Sequence, residues 1–494
     1  MFKRILTNKL VNMKLCKEKK NLKVILVPYP AQGHVTPMLK LASVFINGGL
    51  ITEAVLVTPE FIHNRIISSV DHESKNKIRC MSIPDGLEKD APRDFFAIEN
   101  AMENFMPAHL EKLIGNIVDE DDDGRVVCVV VDLVASWAIQ VAERCGLPVA
   151  GFWPAMLATY RLIAAIPDMV QAGYISNDTG CPQQLEKAHS LPNQPMLSTE
   201  DLPWLIGTPS ARKSRFNFWT RTLERSRKLR WLLVNSFPEE FIDIKQQYHL
   251  DRSHHQPLVY LIGPQSHQQA MTKNPTFWEE DMSCIEWLDK QKPKSVVYIS
   301  FGSWVSPIGD AKIKSLAMAL ETLGLNFIWV LGLAWREGLP KGFLERVTKS
   351  SKGKVVSWAP QMKVLRHEAV GCFFTHCGWN STMEAIECRK KLLCWPVAGD
   401  QFVNCAYIVK IWKIGVRING FGQKDVEEGL KRVMIEEKGE LNIRLMKLHK
   451  RTMEEDARSR IMENLTAFVD DLNNKVATSE QNQTKRVKDV QYLS

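Results

Sequence analysis

Short apolar runs, each long enough for one buried strand, alternate with longer amphipathic stretches from residue 22 onward. The run "RVVCVVVD" (125–132) lacks polar alternation, which is typical of parallel strands that helices cover on both faces. The stretch "SWAIQVAERCG" (136–146) follows it and has the apolar spacing of a helix. Because a pair of parallel strands needs a crossover connection, usually a helix, the repeated pattern predicts an α/β fold.

The alternation is interrupted once, by a polar stretch at about residues 265–281, and begins again with "SVVYISFGS" (295–303). A chain of 494 residues is too long to pack around one core. We therefore predict two Rossmann-like parallel-sheet domains that face a central cleft. The predicted units are a basic extension that we expect to be disordered (1–21), a first domain (22–264), a linker (265–283), a second domain (284–455), a further helix (456–474) and a polar tail (475–494).

The formal net charge of +8 is located at the two ends of the chain. Residues 1–20 hold seven Lys and Arg side chains against one acid, and residues 475–494 hold four against two. These segments account for the whole excess, so the part between them is formally neutral. Nucleic acids and anionic membrane surfaces bind positively charged surfaces, and we therefore predict neither as a partner.

The eleven cysteines are irregularly spaced, and five of them lie between 372 and 405. No Cys-x-x-Cys pair occurs in that cluster, although such pairs are usual in structural zinc sites. We predict no metal site and expect reduced thiols.

The first twenty residues lack the apolar segment and the cleavage site of a secretory signal. No stretch of 18 consecutive apolar residues occurs anywhere, so we predict no transmembrane segment. We therefore expect a cytoplasmic protein.

Polar residues follow the predicted strands, at the carboxyl ends where open parallel sheets bind ligands. In the first half, His34 follows "LKVILVPYP" (22–30), close to a helix start that Pro37 helps to define, and Asp132 ends the four-valine strand. A carboxylate at that edge can hold one imidazole nitrogen and fix the tautomer, which would give a base and its orienting partner. Alternatively, His34 is a capping or packing residue, and Asp132 caps a helix that starts near Ala135.

In the second half, "THCGWNSTMEA" (375–385) leaves an apolar strand and enters a helix. Its Ser381 and Glu384 have the spacing of a capping box, Ser-x-x-Glu, which satisfies N–H groups at any helix start. A helix start with its unpaired N–H groups also favours a bound phosphate. Both interpretations are open at this point.

The residues around this stretch favour a nucleotide-sugar ligand. Trp358 could stack on a planar base, and Glu384 could accept hydrogen bonds from ribose hydroxyls. Asp400 and Gln401 supply the acceptors and donors that the hydroxyls of a sugar require. Ser303, after Gly302, could approach an anion.

The 44 residues from Trp358 to Gln401 resemble the signature box of plant family 1 UDP-dependent glycosyltransferases, W-x-P-Q…L-x-H…F-x-T-H-x-G-x-N-S-x-x-E…P-x-x-x-D-Q. The resemblance extends more loosely from about Lys23 to the C-terminal helix. It implies a GT-B architecture, with the acceptor in the N-terminal domain and the nucleotide sugar in the C-terminal domain. It also implies that the helix at 456–474 packs back on the first domain.

The same resemblance implies a role for each matching position. His34 matches the catalytic base, and Asp132 matches its partner. The positions that match the nucleotide-sugar site are Trp358 at the uracil, Ala359 and Gln361 beside the base and ribose, Ser303, His376, Gly378, Asn380 and Ser381 around the diphosphate, Glu384 at the ribose, and Trp379, Asp400 and Gln401 at the sugar.

The resemblance implies an inverting transfer of a sugar from a UDP-sugar to a hydroxyl or carboxyl group of a small lipophilic acceptor, such as a plant secondary metabolite or hormone. A final Gln in the box favours glucose, with UDP-glucose as co-substrate and no further cofactor or metal ion. We expect a monomer. The alternatives are a nucleotide-sugar-binding protein with little or no transferase activity and a dinucleotide-dependent oxidoreductase, although no G-x-G-x-x-G follows a strand.

Three positions depart from the usual family pattern. Arg389 stands where Gly is usual, and a left-handed conformation there would cost about 1–2 kcal/mol. Lys391 stands where Pro is common, so two extra cations lie near the strand that leads to Asp400. Pro154 replaces a common hydroxyl residue on the acceptor side. Apolar and aromatic residues in "ENFMPAHL" (103–110) and "DLPWLIGTP" (201–209) suggest a lipophilic acceptor.

Overall fold

The computed structural model describes most of the chain, and the prediction of an α/β fold with two parallel sheets is confirmed. In both sheets every paired strand runs parallel to its neighbour. The predicted extension at 1–21, residues 265–276 of the predicted linker, and Ser303 lie outside the described residues. The described residues are 22–67, 77–119, 125–183, 201–237, 257–264, 277–302, 308–437 and 439–491, with side chains described as far as 475.

The strands described in the first sheet are β1 (Leu22–Val27), β2 (Glu53–Pro59), β3 (Ile78–Ile83), β4 (Arg125–Asp132), β5 (Val149–Trp153), β6 (Trp231–Val234) and β7 (Leu258–Leu261). Their order is β3-β2-β1-β4-β5-β6-β7, which is a Rossmann sheet with one added strand. Side chains of β1 alternate between the two faces, so Ile25 and Val27 enter one core while Val24 and Leu26 enter the other. The strand order reverses between β1 and β4, and ligands bind at such switch points.

The strands described in the second sheet are β8 (Val296–Ser300), β9 (Asn326–Val330), β10 (Gly353–Val356), β11 (Val370–Thr375), β12 (Lys391–Cys394) and β13 (Gly415–Arg417). Their order is β10-β9-β8-β11-β12-β13, the same doubly wound arrangement, with its switch point between β8 and β11. Apolar runs in the sequence predict nine of the strands described in the two sheets, whereas β2, β3, β5 and β13 were not predicted. Of these, β3 lies at an edge with partly exposed residues and β13 has three residues, so their sequence signals are weak.

Helices connect the strands and cover both sheets. Those described in the first half are α1 (Gln32–Asn47), α2 (Glu60–Ile66), α3 (Phe95–Asn104), α4 (Met106–Asp119), α5 (Trp137–Arg144), α6 (Leu157–Ala164), α7 (Ile166–Gln171) and α8 (Pro209–Ser226). Those described in the second half are α9 (Ser283–Leu288), α10 (Asp310–Leu323), α11 (Phe343–Ser350), α12 (Gln361–Arg366), α13 (Trp379–Glu387), α14 (Gln401–Ala406), α15 (Gln423–Lys431), α16 (Glu440–Met453) and α17 (Glu455–Gln491). None of the helices in the described part of the chain is both long and apolar enough to cross a membrane.

The last helix, α17, packs on the first sheet although it follows the second in sequence. Phe468 lies in the same core as Phe45 and Trp231, and Asp471 accepts hydrogen bonds from Arg230 and from the Trp231 indole. The Asn464 amide donates to the Leu261 carbonyl at 2.7 Å. The helix continues to Gln491 rather than ending at 474, because the polar Glu, Gln and Lys residues that follow are good helix formers.

Candidate active site

The predicted base and its partner meet at the switch point of the first sheet. Asp132 is the last residue of β4, is fully buried, and its Oδ2 lies 2.7 Å from His34 Nδ1. Backbone N–H groups of Val134 and Tyr29 donate to the same carboxylate, at 2.9 and 3.3 Å. Because Asp132 holds Nδ1, Nε2 is the nitrogen that can take a proton from a ligand.

Both interpretations of Asp132 describe part of its environment, since its bond to Val134 also caps a short 3₁₀ turn at Leu133–Ala135. The expected helix start at Pro37 is wrong. Helix α1 begins at Gln32, so His34 lies in its first turn and Pro37 lies inside the helix. Pro37 is the sixth residue of α1, beyond the first turn, so it cannot donate to the Gly33 carbonyl; that carbonyl accepts a hydrogen bond from Asn380 Nδ2 at 2.9 Å instead.

The stretch "THCGWNSTMEA" places a helix start at the switch point of the second sheet. The capping-box interpretation is wrong, because α13 begins at Trp379 with Gly378 as its N-cap, which makes Ser381 the third helical residue. The chain turns early because Cys377, two residues after the end of β11, has a left-handed backbone with φ of 67°. The first-turn N–H groups of α13 therefore have no side-chain cap at Gly378, which is the arrangement that binds phosphate groups.

Ser381 and Glu384 bind a common partner, Gln361, instead of the backbone. The Gln361 amide donates to Ser381 Oγ at 3.0 Å and to Glu384 Oε2 at 2.6 Å. The Tyr298 hydroxyl donates to Gln361 Oε1 at 3.1 Å, so the amide is fixed from both sides. Three residues predicted to contact the nucleotide therefore form one network, and Tyr298 is a member that the sequence analysis missed because it lies inside a strand.

His376 lies directly before this helix start and is almost completely buried. Burial lowers its pKa to about 4, so the imidazole is neutral at pH 7. Two glycines allow its position, because a Cβ at Gly302 would lie 2.7 Å from His376 Nε2 and a Cβ at Gly378 would lie 2.4 Å from it. His376 can therefore donate or accept a hydrogen bond at the helix start without adding charge.

Asp400 directly precedes α14, and Gln401 is the first residue of that helix. Gln401 Oε1 accepts hydrogen bonds from the N–H groups of Val397 and Ala398, both at 2.9 Å. Asp400 Oδ2 accepts from Asn404 Nδ2 at 2.7 Å. Burial raises the pKa of Asp400, and the nearby His34 imidazole opposes that rise. Asp400 therefore lies near the predicted base, across the two sheets.

Two residues predicted to bind the nucleotide sugar also connect the two sheets. The Trp379 indole N–H donates to the Asn235 carbonyl at 2.7 Å, and its ring stacks on Phe237 at 6.1 Å. The Asn380 amide donates to the carbonyl of Gly33 at 2.9 Å, and Gly33 is the residue that precedes His34. Neither contact was predicted, because the partners are separated by more than a hundred residues. The Trp379 side chain is thus occupied at the interface, which leaves its backbone for a ligand.

Trp358 and Ala359 follow β10 and lie at the outer end of the site. Ala359 is buried, whereas Trp358 is half-buried with its ring 6.0 Å from that of Trp278. The guanidinium of Arg65 lies 5.0 Å from the Trp278 ring. Trp278 and Arg65 were not predicted, and the one sequence signal for Trp278 was an aromatic residue in a polar linker.

The unusual cations near Asp400 are accommodated. Arg389 has a left-handed backbone with φ of 53°, as expected for a residue that replaces glycine after a helix. Lys391 donates from Nζ to the Val433 carbonyl at 2.6 Å and pairs with Glu437 at 3.7 Å. It is also the first residue of β12, which pairs in register with β11. The strand that leads to Asp400 therefore forms as expected.

The acceptor side differs from the expected apolar surface at several residues, including Met106 and Leu110, which are buried. Trp204, taken as part of an aromatic surface, is fully buried, with its indole N–H bound to the Gly180 carbonyl at 2.8 Å. Aromatic residues instead cluster near the first sheet, where Trp153 and Trp219 lie 6.0 Å apart and Phe95 and Phe218 lie 5.2 Å apart. The sequence did not distinguish these because apolar patterns do not separate core from pocket wall.

Two doubly wound sheets meet at their switch points. One carries a histidine–carboxylate pair, and the other carries an uncapped helix start that follows a neutral histidine. This combination defines a nucleotide-sugar-dependent glycosyltransferase of the GT-B class. Comparison with known proteins agrees with this class. The family model described as "UDP-glucoronosyl and UDP-glucosyl transferase" matches residues 278–456. UDP-glycosyltransferase 82A1 of Arabidopsis thaliana is 54% identical over 468 residues, which cover 91% of this chain and 98% of that protein.

UDP-glycosyltransferase 83A1 of Arabidopsis thaliana is 33% identical over 469 residues, covering 90% of this chain and 96% of that protein. Among solved structures, a UDP-glucose: anthocyanidin 3-O-glucosyltransferase in complex with UDP has a TM-score of 0.77 at 25% identity, covering 92% of this chain and 100% of that chain. Medicago truncatula UGT71G1 complexed with UDP-glucose has a TM-score of 0.76 at 24% identity, covering 92% of this chain and 98% of that chain. This chain belongs to the plant family 1 UDP-glycosyltransferases, so neither a catalytically silent binding protein nor an oxidoreductase is favoured.

Proposed function

We propose that this chain transfers glucose from UDP-glucose to a hydroxyl group of a small lipophilic acceptor, with inversion at the anomeric carbon. The observation that carries the proposal is the 2.7 Å contact between His34 Nδ1 and the buried Asp132. This contact leaves Nε2 to take the proton of an acceptor hydroxyl as that oxygen attacks the anomeric carbon. Asp132 then stabilises the imidazolium that forms. A single displacement converts the α-linked donor into a β-glucoside.

The donor side of the proposal rests on α13 and the network around Gln361. Uracil stacks on Trp358 beside Ala359, and the ribose hydroxyls bind Glu384 and Gln361. The helix N-terminus stabilises the departing UDP through backbone N–H groups and the dipole, which is why we propose a transfer without a metal ion or further cofactor. The side chains proposed at the diphosphate are His376, Asn380 and Ser381, with Gly378 supplying backbone and Ser303 remaining a prediction.

The glucose itself is proposed to bind the Trp379 backbone, Asp400 and Gln401. Gln401 Oε1 is already bound to two backbone N–H groups, so its amide NH₂ is the group that would donate to a sugar hydroxyl. Asp400 supplies acceptor oxygens next to the proposed base. We also propose that the protein acts as a cytoplasmic monomer.

The acceptor is proposed to be planar and lipophilic. The aromatic residues that support this lie near the base: Tyr29 contacts His34 ring to ring at 5.1 Å, and the Arg215 guanidinium lies 5.2 Å from the Phe95 ring. Phe218 packs on both Phe95 and Trp219, at 5.2 Å each. Aromatic walls favour flat apolar ligands and contribute through their large contact area.

The test is turnover of UDP-glucose with a library of phenols, terpenoids and carboxylic acids, with products identified by mass and by anomeric configuration. His34→Ala should lower the turnover number by about 10²- to 10⁴-fold, because it removes the general base. UDP binding measured by calorimetry should be unchanged. His63→Ala, which removes a partly buried histidine of α2, serves as the control. Unchanged turnover in His34→Ala would disprove the base assignment, and an α-linked product would disprove the single displacement.

A further inference from the structure

Three cysteine thiols converge beneath the donor side of the site. Cys377 follows β11, Cys394 ends β12, and Cys405 lies in α14. Their Sγ atoms all lie within 4.8 Å of one another, and all three side chains are fully buried. They meet because β11 and β12 are paired neighbours whose carboxyl ends lie together, while α14 returns over those ends. Glycosyl transfer as proposed above uses none of these thiols.

Three sulfur atoms at this spacing can surround one ion. A bond from zinc to a thiolate is about 2.3 Å long, and three such bonds in a plane place the sulfur atoms about 4 Å apart. Small side-chain rotations are therefore sufficient to close the cluster around an ion. Structural zinc takes four protein ligands, but within the described residues the cluster contains no fourth His, Cys, Asp or Glu.

Burial determines which ion fits, because a net charge in an apolar interior costs much more than a neutral group. Three thiolates around a monovalent ion leave a charge of −2, and around a divalent ion they leave −1. Around a trivalent ion they leave none. We propose that Cys377, Cys394 and Cys405 form a three-thiol site for a trivalent thiophilic ion, with arsenite as the probe.

The binding step balances without any change of oxidation state. Arsenous acid, As(OH)₃, exchanges its three hydroxyl groups for three sulfur atoms. Three S–H bonds and three As–O bonds break, three As–S bonds form, and three water molecules leave. The neutral tris-thiolate remains in the cluster. No oxidant or reductant is required.

An ion bound in the cluster should change the geometry of the donor site. Cys377 directly precedes Gly378, and its carbonyl accepts a hydrogen bond from Asn404 at 2.9 Å. The same Asn404 amide binds Asp400 at 2.7 Å. Drawing the three sulfur atoms together therefore shifts residues proposed to hold the diphosphate and the sugar. We expect arsenite to raise KM for UDP-glucose, an effect that rests on the proposed function, whereas binding itself does not.

The test is native mass spectrometry of the full chain after incubation with arsenite. We expect one adduct in which one arsenic atom replaces three hydrogens. Cys377→Ala, Cys394→Ala and Cys405→Ala should each lose that adduct. Cys128→Ala removes an equally buried thiol from the first sheet and should keep it.

A second measurement on the unmodified protein tests the proposal even if the variants fail to fold. In the unmodified protein, arsenite should protect Cys377, Cys394 and Cys405 from alkylation, as read by peptide mapping, and leave the other thiols unchanged. The absence of an adduct, an adduct that replaces only two hydrogens, or an adduct that persists in any of the three variants would overturn the proposal. Tight binding of Cu⁺ or Zn²⁺ without binding of arsenite would overturn the charge argument.

Discussion

Two histidines of the site show how the surroundings of one residue type set its chemistry. His34 is partly exposed and has the Asp132 carboxylate 2.7 Å from its Nδ1, which fixes the orientation of the ring. His376 is buried against Gly302 and Gly378, and burial lowers its pKa to about 4. The first residue is therefore suited to take a proton, and the second is suited to bind a phosphate oxygen as a neutral donor.

The lowered pKa of His376 predicts a loss of stability in mild acid. An unfolded histidine has a pKa of about 6.5, so as the pH falls the unfolded chain takes up this proton before the folded chain does. The contribution of His376 to the free energy of unfolding should therefore fall between about pH 6.5 and pH 4, by about 3 kcal/mol at most. Denaturant unfolding of the protein and of His376→Gln across this range provides the measurement. Two curves that stay parallel would contradict the prediction.

At the scale of elements, the segment from β11 through α13 to β12 determines the shape of the donor site. Two residues of this segment have a left-handed backbone, Cys377 before α13 and Arg389 after it. Both are needed because a strand, a short helix and the next parallel strand must fit into about twenty-five residues. The Lys390 ammonium then binds the carbonyls of His367 and Val370, both at 2.9 Å, which fixes the turn into β12.

Replacing Arg389 by glycine should stabilise the protein. A left-handed backbone costs about 1–2 kcal/mol for a residue with a Cβ, and part of this is offset because glycine is more flexible when unfolded. We expect Arg389→Gly to raise the free energy of unfolding by about 1 kcal/mol, with KM for UDP-glucose unchanged. Ser351→Gly is the matched control, because Ser351 is also left-handed, φ of 54°, at the end of another helix. A large change in KM for Arg389→Gly alone would show that its charge acts on the donor.

Helix α17, near the end of the chain, packs on the first sheet. Phe468 is fully buried and contacts the rings of Phe45, Trp231 and Tyr260. Phe468→Ala should therefore cost about 3–5 kcal/mol of stability. Glu463→Ala, an exposed position of the same helix, should change stability little. Equal melting temperatures for the two variants would show that α17 does not stabilise the first sheet.

At the scale of the whole molecule, two sheets hold one site, and one hydrophobic core cluster runs from the first sheet (Ile25) into the second (Tyr298). Trp379 crosses between them, with its ring on Phe237 and its N–H on the Asn235 carbonyl. Asn380 does the same through Gly33, beside the proposed base. Residues proposed to bind the donor thus also set the distance between donor and base.

Trp379→Phe tests this coupling. The variant keeps an aromatic ring against Phe237 but leaves the buried Asn235 carbonyl without its donor. We expect a loss of about 1–3 kcal/mol in the free energy of unfolding, together with a lower kcat and a nearly unchanged KM for UDP-glucose. Trp231→Phe removes an indole N–H that donates to Asp471, away from the contact with Asn235, and is the control for loss of an indole. A variant with wild-type stability and kcat would show that the bond does not position the sheets.

Local sequence was sufficient for the class of fold, and it proposed residues for the candidate site but missed Tyr298. Buried strands such as β4 and the Trp358–Gln401 block are contiguous stretches, so the strand pattern and the resemblance to the family signature could be recognised without knowledge of the fold. The sequence also placed His34 and Asp132 at strand ends, where the order of a doubly wound sheet brings them together.

Only the tertiary structure decided which side chains bind one another. The contacts of Gln361 with Glu384, of Asn380 with Gly33, and among the three buried thiols join residues from different elements. The burial of Trp204 and the neutrality of His376 depend in the same way on what packs around them. Hydrogen bonds and desolvation act over a few ångströms in space, whereas a sequence records only the order of residues along the chain.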